Sequence, residues 1–181
     1  CIPNNFGELF KRRFDVLGLE SGLDEQFAVN NFSDTASNLK RLLKPLHRQS
    51  ALAMIRTWSN GWFTSARTHD ANGVLGCIFG CCDSRDSLDH YVHCEVLWCI
   101  LCTTCKARTS DLTLSPAERI GLVNSSSIAI ARWVVAFLCY HSMRNINGEE
   151  IQAAMESGDF DEVQKIAFDT CLHFAAENGL R

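Results

Sequence analysis

Residues 77–98 read CIFGCCDSRDSLDHYVHCEVLW, and the reading of the fold turns on them. Cys77 and Cys81 flank Ile78, Phe79 and Gly80, and His90 and Cys94 follow four residues apart. Four soft or borderline donors within eighteen residues suit one tetrahedral ion, and zinc fits that donor set best. Gly80 lets the backbone turn sharply enough for Cys77 and Cys81 to reach one point. Asp86 and Ser87 can cap a helix on which His90 and Cys94 stand one turn apart on one face. Cys82 and His93 are spare donors at the two ends, and a reduced, metal-free cysteine cluster is the competing reading.

Upstream, residues 35–69 contain no Asp or Glu, while Lys40, Arg41, Lys44, Arg48, Arg56 and Arg67 fall within them. Trp58, Trp62 and Phe63 are interleaved with these cations. Basic side chains neutralise phosphates and aromatic faces stack on unpaired bases, so Lys40, Arg41, Lys44, Arg48, Arg56, Trp62 and Arg67 form a candidate nucleic-acid face. The competing reading makes the aromatics core and the charges a solvated surface. Asp34 is placed as a helix N-cap, followed by Leu39, Leu42, Leu43 and Leu46 at helical spacing, with Pro45 as a kink or a second helix start. The next helix is expected to carry Leu52, Ile55 and Trp58 inward and to stop at Asn60-Gly61.

Downstream, VLWCILCTTC continues as helix. Its Cys94, Cys99 and Cys102 reproduce an iron–sulfur spacing, but the bulky residues between them favour a buried helix with cysteines as small hydrophobes. Ser115-Pro116-Ala117-Glu118 is a capping box with proline at the first position. Residues 124–127 (NSSS) break or re-cap the chain, and residues 128–143, apolar nearly all round, are expected to be the central core helix. Gly148 precedes a short acidic helix. Asp159 and Glu162 box the last helix, whose stripe is Phe160, Val163, Ile166, Ala167, Cys171 and Phe174, and Gly179 ends it. The expected class is therefore mostly α, about six helices with an embedded zinc-knuckle-like Cys/His motif and at most a short turn or hairpin near Cys77. Three segments, 1–70, 71–106 and 107–181, are read as one compact unit.

Composition bounds the function. A chain of 181 residues with 46% hydrophobic content can bury a sizeable core. Nine Lys/Arg stand against seven Asp/Glu over residues 1–70, and eight against fourteen thereafter. A mildly basic front and an acidic back suit RNA or DNA on residues 35–69 and protein subunits on the C-terminal half. Seven of the ten cysteines lie between 77 and 105, the pattern of metal binding in a reducing, intracellular compartment, the mitochondrion included. The most apolar stretch is too short for a membrane span. The chain opens on Cys1 rather than Met, as a fragment or processed product would.

The strings C-x-F-G-C, D-S-L-D-H-Y, and then C and L-W resemble the C-terminal cysteine–histidine motif of reverse transcriptases from non-LTR retroelements of the algal and protist type. The resemblance extends upstream through residues 53–69 (AMIRTWSNGWFTSARTH) and downstream to residues 140–144 (YHSMR), about half the chain. It implies Cys77, Cys81, His90 and Cys94 as zinc ligands, and a region that follows the polymerase and helps hold nucleic acid. The catalytic parts of such proteins are missing. There is no Asp-Asp pair for a two-metal palm, and no proline is followed by Asp as a restriction-like endonuclease would require. Cys94 with His90, or His69 with Asp70, lacks any accompanying oxyanion or phosphate-loop signature, and four protein ligands would leave the metal no open position. The expectation is a non-enzymatic RNA-binding module recruited into a ribonucleoprotein such as an organellar ribosome. A purely architectural subunit is the alternative.

Overall fold

The computed structural model of the chain describes residues 48–68, 75–82, 84–106, 113–120 and 127–180. Among them are eight helices: α1 (Arg48–Trp58), α2 (Ser65–Thr68), α3 (Leu88–His93), α4 (Glu95–Thr104), α5 (Pro116–Arg119), α6 (Ser127–Ile146), α7 (Gly148–Ser157) and α8 (Phe160–Glu177). No strand occurs among the described residues, where one antiparallel bridge, Gly76 to Arg85, is the only extended pairing. The Asp34 cap, the Leu39–Leu46 stripe with Pro45, and the break at residues 124–126 lie outside the described residues.

The twenty-residue α6 is the centre, as its apolar composition requires. Trp133, Val135, Ala136, Cys139, Tyr140 and Met143 are all buried, and α1, α4, α5, α7 and α8 pack around them. The charge inside this apolar run has a place. Arg132 is buried, and its Nε and Nη2 each donate to the Cys105 carbonyl at 3.3 Å, with Nη2 also 3.4 Å from the Lys106 carbonyl. These carbonyls end α4, where a cation meets the negative end of the helix. Its guanidinium also lies 5.8 Å from the Trp98 ring.

The sequence misplaces one helix face. Trp58 points inward as expected, its Nε1 donating to the Ile120 carbonyl at 3.0 Å. Leu52 and Ile55 do not: they are 46% and 49% exposed. The buried positions of α1 are Ser50, Ala53, Met54, Thr57 and Trp58, a continuous i, i+3, i+4, i+7, i+8 line toward α6. Thr57 is tolerated there because its hydroxyl donates to the Ala53 carbonyl and accepts from Trp62 Nε1, both at 2.9 Å. The helix does stop at Asn60-Gly61. Asn60 takes the left-handed conformation (φ 54°), and a Cβ on Gly61 would lie 3.1 Å from Arg56 Cα.

The caps follow the sequence. Ser115 and Glu118 close a full capping box on α5, with Pro116 at the start. Asp159 accepts from the Glu162 N–H at 3.1 Å to begin α8, while the Glu162 carboxylate turns to Lys165. Val163, Ala167, Cys171 and Ala175 form the buried line of α8, with Ile166 and Phe174 at its margins.

Candidate metal centre

Two short backbones meet at the centre. The first is a turn: Cys77 N–H donates to the Ser84 carbonyl and Asp86 N–H to the Leu75 carbonyl, both at 2.8 Å, and Gly80 N–H closes onto the Cys77 carbonyl at 3.0 Å. Gly80 has φ 82°, and a Cβ there would come within 2.6 Å of Gln164 Cγ on α8. The turn therefore seats its bare backbone on α8, and Gln164 Nε2 donates to the Gly80 carbonyl at 3.0 Å.

The second backbone is α3 and its junction with α4. Ser87 caps α3 by accepting from His90 N–H; Asp86, grouped with it as a cap in the sequence, has another role. His90 and Cys94 do not share one unbroken helix, because α3 ends at His93 and Cys94 is extended (φ −67°, ψ 109°). The residue is instead the N-cap of α4, and its Sγ accepts from Leu97 N–H at 3.4 Å. A sulfur at a ten-residue helix N-terminus is favoured as a thiolate by the helix dipole and the donated N–H.

Cys77, His90 and Cys94 bring their ligand atoms within 4.8 Å of one another, a group that could hold a metal ion. The two sulfurs are 4.0 Å apart. Two thiolates on one tetrahedral zinc, each bonded at about 2.3 Å, would be separated by about 3.8 Å. The backbone N–H groups of Phe79 and Cys81 favour the Cys77 thiolate, against burial and the contact with Cys94. The Nε2 of His90 is buried and finds no hydrogen-bond partner. An orphaned imidazole nitrogen beside two buried sulfurs is a donor set that fits a borderline cation.

The protonation of the pair points the same way. The hydrogen bond from Cys77 brings the Cys94 thiol down to about 5, against the effect of burial and with help from His90 and the Leu97 N–H. Cys77 is pushed far up, first by that same bond, then by burial and the charge on Cys94. The two sulfurs face each other at 4.0 Å, and the space between them is the position a cation would take over.

The remaining expected ligand stands aside. Cys81 is half-buried, outside the close group, with its thiol 3.8 Å from Ser84 Oγ. Cys82 and His93 are exposed and also outside the group.

Of the proposed nucleic-acid face, Lys40, Arg41 and Lys44 lie outside the described residues, as do the side chain of Arg48 and the His69–Asp70 pair. Arg67 is exposed, with Nη1 3.4 Å from the Trp62 carbonyl, and Arg56 is half-buried over the Phe137 ring at 5.9 Å. Trp62 has no exposed surface, so its ring is not available to a base. It is the middle of an aromatic cluster, 4.9 Å from Tyr140, 5.8 Å from Tyr91 and Phe137, and 5.9 Å from Trp133. The exposed aromatic is its neighbour, Phe63.

Sequence reasoning missed the network built on Asp86. This fully buried carboxylate accepts from Tyr91 Oη, Ser65 N–H and Arg144 Nη1, each at 2.6 Å, and lies 3.3 Å from Tyr140 Oη. Tyr140 Oη donates to the Phe63 carbonyl at 2.9 Å. Burial, then the charge on Asp86, raises both tyrosines well above their ordinary range, so they remain donors. A signal was present: Asp86, Tyr91, Tyr140 and Arg144 all belong to the strings that carry the retroelement resemblance or adjoin them. Nothing in their spacing says that residues 54 and 58 positions from Asp86 would converge on it. No protein-family model, curated protein or solved structure matches this chain.

Proposed function

We propose that the chain is a non-enzymatic, zinc-stabilised RNA-binding module resembling the tail of a retroelement reverse transcriptase and serving within a ribonucleoprotein, with an organellar ribosome as one such setting. The observation that carries the metal part is the convergence of Cys77, His90 and Cys94 around an unpartnered buried Nε2. Cys81, on the same turn, supplies the fourth ligand and third sulfur, and four protein ligands make the ion structural. The D-S-L-D-H-Y string and the two flanking stretches, 53–69 and 140–144, contribute Asp86, Tyr91, Trp62, Tyr140 and Arg144 to one network.

RNA contact is assigned to residues 35–69, with Arg56, Arg67 and the exposed Phe63 as its described members. Elemental analysis of the purified chain should find one zinc per molecule. Replacing Arg56 and Arg67 by Glu should weaken RNA binding and flatten its salt dependence, by about one slope unit for each phosphate that is no longer neutralised. Zinc-free, folded protein would refute the metal centre, and salt-independent RNA binding or none would refute the interface. The exposed Leu52 and Ile55 favour a second reading, a protein-docking subunit. That reading gains if the charge reversals leave assembly intact while Leu52→Ser abolishes it.

A further inference from the structure

We propose that Tyr91, held by Asp86, is the positioning residue of the metal centre: its hydroxyl sets the turn bearing Cys77 against the helix bearing His90 before an ion binds. The inference rests on the metal reading above. Ile78, the residue after Cys77, donates its backbone N–H to Tyr91 Oη at 3.4 Å. Tyr91 itself follows His90 in α3 and donates to Asp86 Oδ1 at 2.6 Å. A single hydroxyl thus bridges the two backbones that supply the ligands. The Phe79 ring, on the same turn, stands edge-on to Tyr91 at 5.2 Å and adds a second contact between the two backbones.

Asp86 is in turn fixed from elsewhere in the fold. Its Oδ2 takes Ser65 N–H at the start of α2 and Arg144 Nη1 from α6. The carboxylate therefore anchors Tyr91 to the central helix, and the ligand placement inherits the rigidity of the core. Ligands on two separate segments bind an ion more tightly when their relative position is set beforehand, the role that outer groups hydrogen-bonded behind a metal shell perform.

Tyr140 supplies the control. Its hydroxyl also approaches Asp86, and it too is buried, but it reaches Phe63 rather than the turn. Zinc affinity is measured by competition with a chromogenic chelator on the full chain, its Tyr91→Phe form and its Tyr140→Phe form. Cobalt absorption and far-ultraviolet dichroism are recorded alongside. Tyr91→Phe is expected to lower zinc affinity by about ten- to a hundredfold and to alter the cobalt spectrum, with helicity kept. Tyr140→Phe is expected to lower the unfolding midpoint and leave zinc affinity unchanged.

Unchanged affinity in Tyr91→Phe, or an equal loss in Tyr140→Phe, would overturn the positioning role. Failure of the unsubstituted chain to take up zinc would overturn it together with the metal reading; tight uptake by that chain beside an unaffected Tyr91→Phe would remove the positioning role alone. Should Tyr91→Phe not fold, amide exchange of the unsubstituted, chelator-stripped protein decides. The Ile78 amide should stay protected, and its exchange at the open-chain rate while α6 remains protected would overturn the proposal.

Discussion

The turn at residues 75–86 and the helix α1 carry comparable numbers of apolar residues, yet one is readable from its sequence and the other misleads. At the turn and the α3–α4 junction that follows it, residue chemistry is unusual: cysteines, a histidine and a glycine have few reasons to be spaced as they are, and three of the four expected ligands do converge. In α1 the chemistry is ordinary, and the two largest aliphatic side chains on offer, Leu52 and Ile55, face solvent while Ala53 and Thr57 are buried. The face of α1 that meets α6 is set by Met54 and Trp58, with the small Ser50, Ala53 and Thr57 filling the line between them.

The largest expected effect lies on the legible side. Structural zinc contributes on the order of 10 kcal/mol to local folding. Chelation, or Cys94→Ser, should therefore sharply lower amide protection over residues 79–106, while the Ile78 amide, held by Tyr91, stays protected. The loss should spread to the first turn of α8, because Gln164 and the Gly80 carbonyl tie the two together. Protection that is independent of zinc would place the turn on the same footing as α1, held by ordinary packing.

Next come two neighbouring aromatics. Trp62 is fully buried and Phe63 is 55% exposed. Trp62→Ala should cost about 3–5 kcal/mol in urea unfolding. Phe63→Ala should stay within about 0.5 kcal/mol while weakening RNA binding. Equal costs would mean that the aromatic cluster around Trp62 is not the centre of the core.

What could be read was local. Ser115-Pro116, Asp159, the Asn60-Gly61 stop and the apolar length of α6 each act within a few residues of themselves, and each behaves as its chemistry dictates. What could not be read depends on distant partners. Cys94 ends one helix and caps the next, with its sulfur accepting from Leu97 N–H and facing Cys77 across 4.0 Å. Asp86 looks like a cap beside Ser87 and becomes a buried anion only because Arg144 arrives from α6 to neutralise it. Trp62 looks like a stacking platform between cations until Tyr91, Phe137 and Tyr140 are folded around it.

The misplaced face of α1 can be tested with a smaller effect. Ala53 has no exposed surface, so Ala53→Leu overpacks the line toward α6 and should cost about 1–3 kcal/mol. Leu52→Ser should change stability by no more than about 0.5 kcal/mol. If the serine proves the costlier change, the inward face of α1 is the one hydropathy chose.

The smallest effect lies where the exposed and buried regions join, at His141. Its ring is 4.3 Å from Phe137 and 6.2 Å from Phe63, and its Nε2 is buried without a hydrogen-bond partner. Burial, followed by the charges of Arg56 and Arg144, holds its pKa below the ordinary 6.5. As pH falls through about 6.5 the unfolded chain takes up a proton that the folded chain refuses. The unfolded state then binds more protons, and stability declines until the folded ring is protonated too. The proposed zinc ligands would also meet proton competition on acidification, so the readout is a difference between two proteins that share that site. His141→Phe keeps an aromatic ring against Phe137 and removes the titration. Its unfolding free energy should fall less steeply than that of the unsubstituted chain between about pH 7 and pH 5.5, with zinc saturating in both. Parallel curves would mean that His141 titrates alike folded and unfolded, and that the surface around Phe63 opens far enough to hydrate the ring.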